Sequence, residues 1–285
     1  MKMSMGRMGR RLLGLAAAAA ALVTSTAAFA ELGQPAEWEY KLQESGSTVM
    51  DNIHWFHNVL LVIITLITLF VLGLLIAVMV KFNARANPIP SRTTHNTLIE
   101  VAWTLIPVLI LVSIAVPSFR LLFLELDVPK ADLTIKATGK QWYWTYDYPD
   151  AKIEFDSLLA CDETRAKCSS PRLLAVDNNI VVPVNKVIRV QTTGADVIHS
   201  FAVPAFGIKI DAIPGRLNET WFKAEKTGMY YGQCSELCGK DHAYMPIAIR
   251  VVSQDQYEAW LQTAKQKFAG NSAPYSVAEA VPARQ

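Results

Sequence analysis

Two long stretches without a charged side chain constrain the fold of this chain more than any other feature. They span residues 58–80 and 101–119, and both are dense in leucine, isoleucine and valine. As a helix, the first would be about 34 Å long, enough to cross about 30 Å of membrane hydrocarbon. The second contains Pro107 and Pro117, which membrane helices tolerate where neighbouring groups satisfy the freed carbonyls. The sequence therefore predicts a hairpin of two transmembrane helices, at 58–80 and 101–119.

The flanking charges indicate how this hairpin crosses the membrane. The connecting segment, residues 81–100, carries three basic residues and one acid, Glu100, whereas residues 31–57 are rich in acids. Because basic loops stay in the cytoplasm, we predict that residues 81–100 are cytoplasmic and that both ends of the chain lie in the periplasm. By composition, the hairpin is an anchor for the domain that follows. Glu100 is then either a charged helix end or part of a proton path.

The first thirty residues have the three regions of a secretory signal peptide. A basic start is followed by an apolar stretch from Leu12 to Val23 and by small residues that end at Ala30. We expect cleavage after Ala30. The alternative is a first membrane helix that is retained, although the apolar stretch is short for a span. A mature chain that begins in the periplasm agrees with the orientation predicted from the charges.

After Pro129 the sequence changes to short runs of β-branched and aromatic residues separated by turns. This pattern predicts a two-sheet β-sandwich in residues 120–253, followed by a C-terminal helix and a flexible tail in residues 254–285. The formal net charge of +2 is too small for a nucleic-acid-binding surface. The predicted strands are residues 133–138, 142–148, 187–193, 221–224, 229–233 and 247–252.

The chemistry concentrates in residues 233–246, QCSELCGKDHAYMP. This segment offers two thiolates, an imidazole and a thioether, and His199 lies upstream in DVIHSFAVP. Such soft ligands suit copper, and two thiolates can bridge a pair of metal ions, each with one imidazole. A disulfide, a tetrahedral zinc site and a mononuclear copper site with one cysteine are the alternatives. The candidate ligands are Cys234, Cys238, His242, Met245 and His199.

From about Asp51 to Val252 the chain resembles subunit II of the haem-copper cytochrome c oxidases of α-proteobacteria. The motifs IEVAWTLIP, KQWYWTYDY, DVIHSFAVPAFGIKIDAIPGRLNETW and YYGQCSELCGKDHAYMP carry the resemblance, in this order. It implies a cupredoxin-like Greek-key domain with a binuclear copper centre, CuA. It also implies a magnesium ion, at the border with subunit I, toward which the Glu236 side chain reaches. The implied copper ligands are His199, Cys234, Cys238, His242, Met245 and the backbone carbonyl of Glu236.

The resemblance also implies roles in electron and proton transfer. Trp142, in a run that by itself predicts a core-facing strand, becomes the point where electrons enter from cytochrome c. Glu100 becomes the entrance of a proton path into subunit I. A lysine-rich cytochrome c would dock on clustered acids. The candidates are Asp147, Asp156, Asp177 and Asp196, with Glu154 a weaker choice, while Asp211 and Arg216 are expected near the border with subunit I.

Four further residues lie outside this pattern. Cys161 and Cys168 belong to a loop that is not part of the shared motifs, and in an oxidising compartment they are expected to form a local disulfide. His54 and His57 precede the first span, and interfacial packing is the simpler interpretation than haem ligation. No C-x-x-C-H motif occurs, which excludes a fused c-type haem domain.

Together these features predict the copper-bearing subunit of a proton-translocating oxidase. The haems and the second copper site must then lie in subunit I, and subunit III is a further expected partner. One alternative is the related subunit of a quinol oxidase, but that branch lacks the CuA ligands. The other is a membrane-tethered copper carrier, which would not need Trp142 or Glu100.

Overall fold

A computed structural model describes residues 33–161, 167, 169 and 171–268 of the chain. The predicted signal peptide and the predicted tail after residue 268 lie outside the described residues. The described chain consists of two long helices, a β-sandwich and a C-terminal helix.

The two long helices contain the predicted spans and extend beyond them. They are α1 (Thr48–Lys81) and α2 (Thr97–Leu126), and both are long and apolar enough to cross a membrane. The helices begin where caps are available rather than where the apolar stretches begin. The Ser47 side chain accepts a hydrogen bond from the Met50 amide, and the Asn96 side chain accepts two at the start of α2. The predicted transmembrane hairpin is confirmed.

Ten strands form two sheets of five. One sheet has the order β3-β2-β1-β5-β8 and the other β4-β10-β9-β6-β7, with parallel pairing between β1 and β5 and between β4 and β10. This confirms the predicted all-β sandwich of cupredoxin-like type. The strands are β1 (Leu133–Lys140), β2 (Tyr143–Tyr148), β3 (Ile153–Ser157), β4 (Ile180–Pro183), β5 (Val187–Gly194), β6 (His199–Val203), β7 (Ile208–Ala212), β8 (Asn218–Lys223), β9 (Gly228–Cys234) and β10 (Pro246–Val252).

Alternate residues of β2 supply the aromatic part of the core. Trp144, Tyr146 and Tyr148 are fully buried because successive side chains of a strand point to opposite faces. The strand begins at Tyr143, so Trp142 precedes it and is only partly buried, unlike Trp144. The C-terminal helix α3 (Gln254–Phe268) covers this end of the core, with the Trp260 ring 5.4 Å from that of Tyr148.

The hairpin and the sandwich are packed against each other. Val49 and Met50, in the first turn of α1, are buried. The Ser47 hydroxyl donates a hydrogen bond to the Phe206 carbonyl at 2.8 Å, and the Trp221 indole donates one to the Leu124 carbonyl of α2 at 3.2 Å. The sandwich therefore sits directly on the ends of both helices.

Candidate metal centre

Strand pairing brings the predicted ligands to one end of the second sheet. β9 ends at Cys234, and the loop that follows carries the other ligands before β10 begins at Pro246. β6 pairs with β9 so that Phe201 lies opposite Cys234, and β6 starts with His199, two residues away. His199 is fully buried, and Cys234, Cys238 and Met245 are buried as well. The fold thus assembles a shielded group of donors from two distant segments.

The donors surround two neighbouring sulfur atoms. Cys234 Sγ lies 3.9 Å from His199 Nδ1 and 3.3 Å from the Glu236 carbonyl oxygen. Cys238 Sγ lies 3.5 Å from His242 Nδ1 and 3.5 Å from Met245 Sδ. The two sulfurs are 3.9 Å apart. All six predicted ligands are therefore close together, around two neighbouring sulfurs.

The two thiols differ in acidity. Burial opposes ionisation of Cys234, but hydrogen bonding with His199 and nearby backbone groups lowers its pKa below the ordinary cysteine value. Burial and the charge of the neighbouring Cys234 raise the pKa of Cys238. The pair without metal therefore holds one thiolate more readily than two. A cation bound between the sulfurs would favour ionisation of both.

His199 is held on the side away from the sulfur. Burial disfavours its charged form, but hydrogen bonds to Cys234 and Asp196 raise its pKa. Its Nε2 atom lies 2.8 Å from Asp196 Oδ1. This carboxylate also accepts hydrogen bonds from the amides of Val197 and Gln141. Asp196 was predicted as a docking acid and its contact with His199 was not predicted, although an acid three residues before a ligand histidine is a usable signal.

The donor set fits copper. Thiolate, imidazole and thioether are the soft ligands that copper takes, and a closed zinc site makes little use of a thioether. His199, Cys234 and Cys238 alone already offer three ligand atoms that lie within 4.8 Å of one another. A His–Cys–Cys group of copper type is therefore present.

The residues that were predicted to serve electron transfer, proton transfer and the border with subunit I differ in burial and position. Trp142 is partly buried beside the metal loop, with its indole Nε1 donating to the Cys238 carbonyl at 3.3 Å. The Glu236 side chain is exposed, and Glu100 lies in the first turn of α2. Asp211 is half-buried and Arg216 is exposed.

The predicted docking acids form no single cluster with the ligands. Asp147 and Asp156 lie on the outer face of β2 and β3, while Asp177 binds the Leu158 amide in the loop before β4. Glu154 pairs with Asp147 across the two strands. Their role in docking stays a prediction.

The remaining predicted residues have structural contacts. Cys161 is disulfide-bonded, but Cys168 lies outside the described residues, so their pairing stays a prediction. His54 contacts the Gln43 carbonyl through Nε2 at 2.9 Å, while His57 is exposed.

Two family models match the chain. Residues 133–252 match cytochrome c oxidase subunit II, periplasmic domain, and residues 35–121 match cytochrome c oxidase subunit II, transmembrane domain. A probable cytochrome c oxidase subunit 2 of Rickettsia bellii is 54% identical over 244 residues, which cover 85% of this chain and 90% of the relative. Cytochrome c oxidase subunit 2 of Cereibacter sphaeroides is 45% identical over 277 residues, covering 89% and 91%.

A solved structure is also similar. The periplasmic domain of subunit II of cytochrome oxidase from Bradyrhizobium japonicum is 75% identical, and the match covers 50% of this chain and all of that one, with a TM-score of 0.48. The sequence relatives, matched over most of their length, confirm the predicted resemblance. The chain belongs to the cytochrome c oxidase subunit II family and is a membrane-bound subunit of that oxidase.

Proposed function

We propose that this subunit accepts electrons from reduced cytochrome c at a binuclear copper centre and passes them to the haem and copper centres of subunit I. Oxygen is reduced to water there, and subunit III is a further partner. When bound, the copper pair supplies a one-electron carrier that two metal ions share. The observation that carries the proposal is the pair of cysteine sulfurs 3.9 Å apart, surrounded by two imidazoles, a backbone carbonyl and a thioether.

The separation of the two histidines argues against one tetrahedral zinc ion. A single ion with four ligands would draw both histidines and both cysteines into one group of neighbouring atoms. Among the described residues, His199 joins the two cysteines within 4.8 Å. His242 is not a member of that group, although it contacts Cys238 and interacts with Cys234. Two copper ions would each need one of the two histidines, which fits the separation of His199 from His242.

The chain's own residues keep this centre dry and rigid. Both sulfurs and Met245 are buried, and the Trp144 indole donates to the Met245 carbonyl at 3.3 Å. Buried, well-packed ligands change position little when the charge of a bound metal changes, which favours fast electron transfer.

Metal analysis and electron spin resonance of the full chain in detergent test the copper pair. We expect two coppers per chain and one unpaired spin with hyperfine structure from both nuclei. Cys238→Ser should remove the second copper, since it deletes one bridging sulfur. One copper per wild-type chain with hyperfine structure from a single nucleus, or zinc in its place, would overturn the proposal.

Trp142 is the proposed point of electron entrance. Its ring is partly exposed, and its indole binds the carbonyl of a ligand, Cys238. In the assembled oxidase, Trp142→Phe should slow electron uptake from cytochrome c while copper content and docking stay unchanged. Trp38→Phe, at an exposed tryptophan, is the control. Uptake at the wild-type rate in Trp142→Phe would refute this role.

Cytochrome c is proposed to dock through Asp147, Asp156, Asp177 and Asp196. Opposite charges on the two partners would speed their encounter, and salt would screen this effect. We therefore expect the association rate to fall with ionic strength, and a rate that is insensitive to salt contradicts the assignment.

Glu100 is the proposed entrance of a proton path from the cytoplasm. The basic loop 81–100 supports this orientation, with the outer domain in the periplasm after removal of the signal peptide. Glu100→Gln should slow turnover while reduction of the copper centre stays fast, with Glu37→Gln as the control on the opposite side. Unchanged turnover would refute it. The exposed Glu236 side chain is available for a magnesium ion at the border with subunit I.

A further inference from the structure

The turn between β1 and β2 contacts two parts of the metal centre, the loop that supports His199 and the loop that carries Cys238. Gln141 lies in this turn, and its backbone amide donates to Asp196 Oδ2 at 2.7 Å. Its side-chain amide donates to the Cys238 carbonyl at 2.8 Å. We call these two residues, with their bonds to His199 and Cys238, the Asp196–Gln141 clasp.

The first arm of the clasp fixes a ligand. With Nδ1 directed at Cys234, the buried His199 ring has one other nitrogen, and that nitrogen lies 2.8 Å from Asp196 Oδ1. The carboxylate is itself fixed, because Oδ1 also accepts the Val197 amide at 2.6 Å and Oδ2 accepts the Gln141 amide. A carboxylate in this position holds the ring orientation and directs Nδ1 to a metal.

The second arm fixes the metal loop. Cys238 belongs to an irregular segment between β9 and β10, where no strand pairing holds its backbone. Its carbonyl receives the Gln141 amide and, more weakly, the Trp142 indole. The loop that carries Asp196 is bound to the end of β1, the strand that leads into this turn, since the Ala195 amide donates to the Gly139 carbonyl at 2.9 Å.

We propose that Asp196 and Gln141 are positioning residues of the metal centre, which together hold His199 and Cys238 at the correct separation. This rests on the proposed copper function. It assigns Asp196 a task that docking does not require. The Asp196 side chain is one-third exposed, but both of its oxygens are engaged within the chain.

The test uses the full chain, loaded with copper in detergent. Asp196→Asn keeps an acceptor for His199 but loses the charge and cannot accept the Gln141 amide through nitrogen. Gln141→Met keeps the length of the side chain and removes the donor to Cys238. Asp132→Asn is the matched control, because Asp132 accepts the Val187 amide far from the ligands. Gln191→Leu is the second, because the Gln191 side chain donates a hydrogen bond to the exposed Glu219.

We expect copper transfer to a chelator to be about tenfold faster in Asp196→Asn. It should be about threefold faster in Gln141→Met, because the exposed wild-type glutamine makes a neutral hydrogen bond, which is weaker than one to a carboxylate. The hyperfine pattern should change in both variants and in neither control. The double variant should be less impaired than the product of the two single effects. Asp196 and Gln141 are bonded to each other, so each single variant already weakens the contacts of the other residue.

Three results would overturn the clasp. The first is wild-type copper release and spectra in both variants. The second is a raised KM for cytochrome c in the assembled oxidase with an unaltered metal signature, which would make Asp196 a docking acid alone. The third is strictly multiplicative effects in the double variant. A wild-type chain that binds one copper would instead overturn the proposed function, and the clasp at a copper pair with it.

Discussion

Gly139 lies directly against the ring of a metal ligand, which makes Gly139→Ala a sharp perturbation. A Cβ atom at this position would lie 2.7 Å from two carbons of the His199 ring and 2.9 Å from its Cβ. Ordinary contact begins at 3.4 Å, so the ring or the strand must move by about 0.7 Å. The His199 ring is buried and bound at both nitrogens, and therefore has little room to retreat.

This displacement exceeds the tolerance of a preorganised site, which is about 0.5 Å. We therefore expect Gly139→Ala to weaken copper binding about tenfold or more and to alter the hyperfine pattern. Overpacking should also lower the free energy of unfolding by about 1–3 kcal/mol. Chelator competition measures the affinity, spin resonance reports the ligand geometry, and thermal unfolding of the copper-free chain gives the stability.

Gly46→Ala is the matched control for this experiment. Its Cβ atom would lie 2.5 Å from the Tyr230 ring, so it overpacks the core at a place that touches none of the ligands. It should lose stability and keep the wild-type metal signature. If Gly139→Ala bound copper with wild-type affinity and spectra, the reasoning from ring displacement would be refuted.

Three further predictions concern buried tyrosines. Tyr148→Phe should cost about 1–3 kcal/mol in unfolding free energy, because the hydroxyl binds both the carbonyl and the amide of Val181. Tyr146→Phe should cost nothing measurable, since its buried hydroxyl has no hydrogen-bond partner among the described residues; equal losses in the two variants would contradict both statements. Burial raises the pKa of Tyr230 from 10.0 to about 12. The protonated hydroxyl therefore contributes about 2–3 kcal/mol to the free energy of unfolding below pH 10, and this contribution is lost as pH rises toward 12. Tyr230→Phe should show a shallower alkaline decline in stability than wild type, and identical pH profiles would contradict this.

The parts of the fold that were predicted from sequence are those with a local signal. The apolar stretches revealed the two membrane helices because lipid requires an unbroken run of apolar residues. The helix ends could not be read this way. Ser47 caps α1 well before the apolar stretch, and its first turn is buried by the sandwich, which hydropathy does not encode.

Four strands were missed because pairing rather than composition creates them. β3 has the sequence IEFDS and β7 the sequence IKIDA, and both are too short and too polar to stand out. β4 becomes a strand by parallel pairing with β10, and β6 by pairing with β7 and β9. Such long-range partners are invisible in a single sequence.

The ligands were predictable from residue type and spacing, whereas their supports were not. Cys234, Cys238 and His242 are chemically distinctive within one short segment. Gln141 has no such distinction, since its role depends on a turn that meets a loop almost one hundred residues away. The residues that tune a site are therefore harder to recognise than the residues that form it.

Because α1 is continuous, it fixes both the height of the metal centre above the membrane and its orientation about the membrane normal. This helix is about 51 Å long, and its first turn is embedded in the sandwich while most of its length lies in the lipid. One extra residue near His57 would lift the sandwich by about 1.5 Å and turn it by about 100°. Such a shift would break the contact of the sandwich with the end of α2. A centre mounted in this way cannot swing between a donor and an acceptor. If the centre transfers electrons as proposed, its donor must reach it by diffusion and its acceptor must already lie beside it.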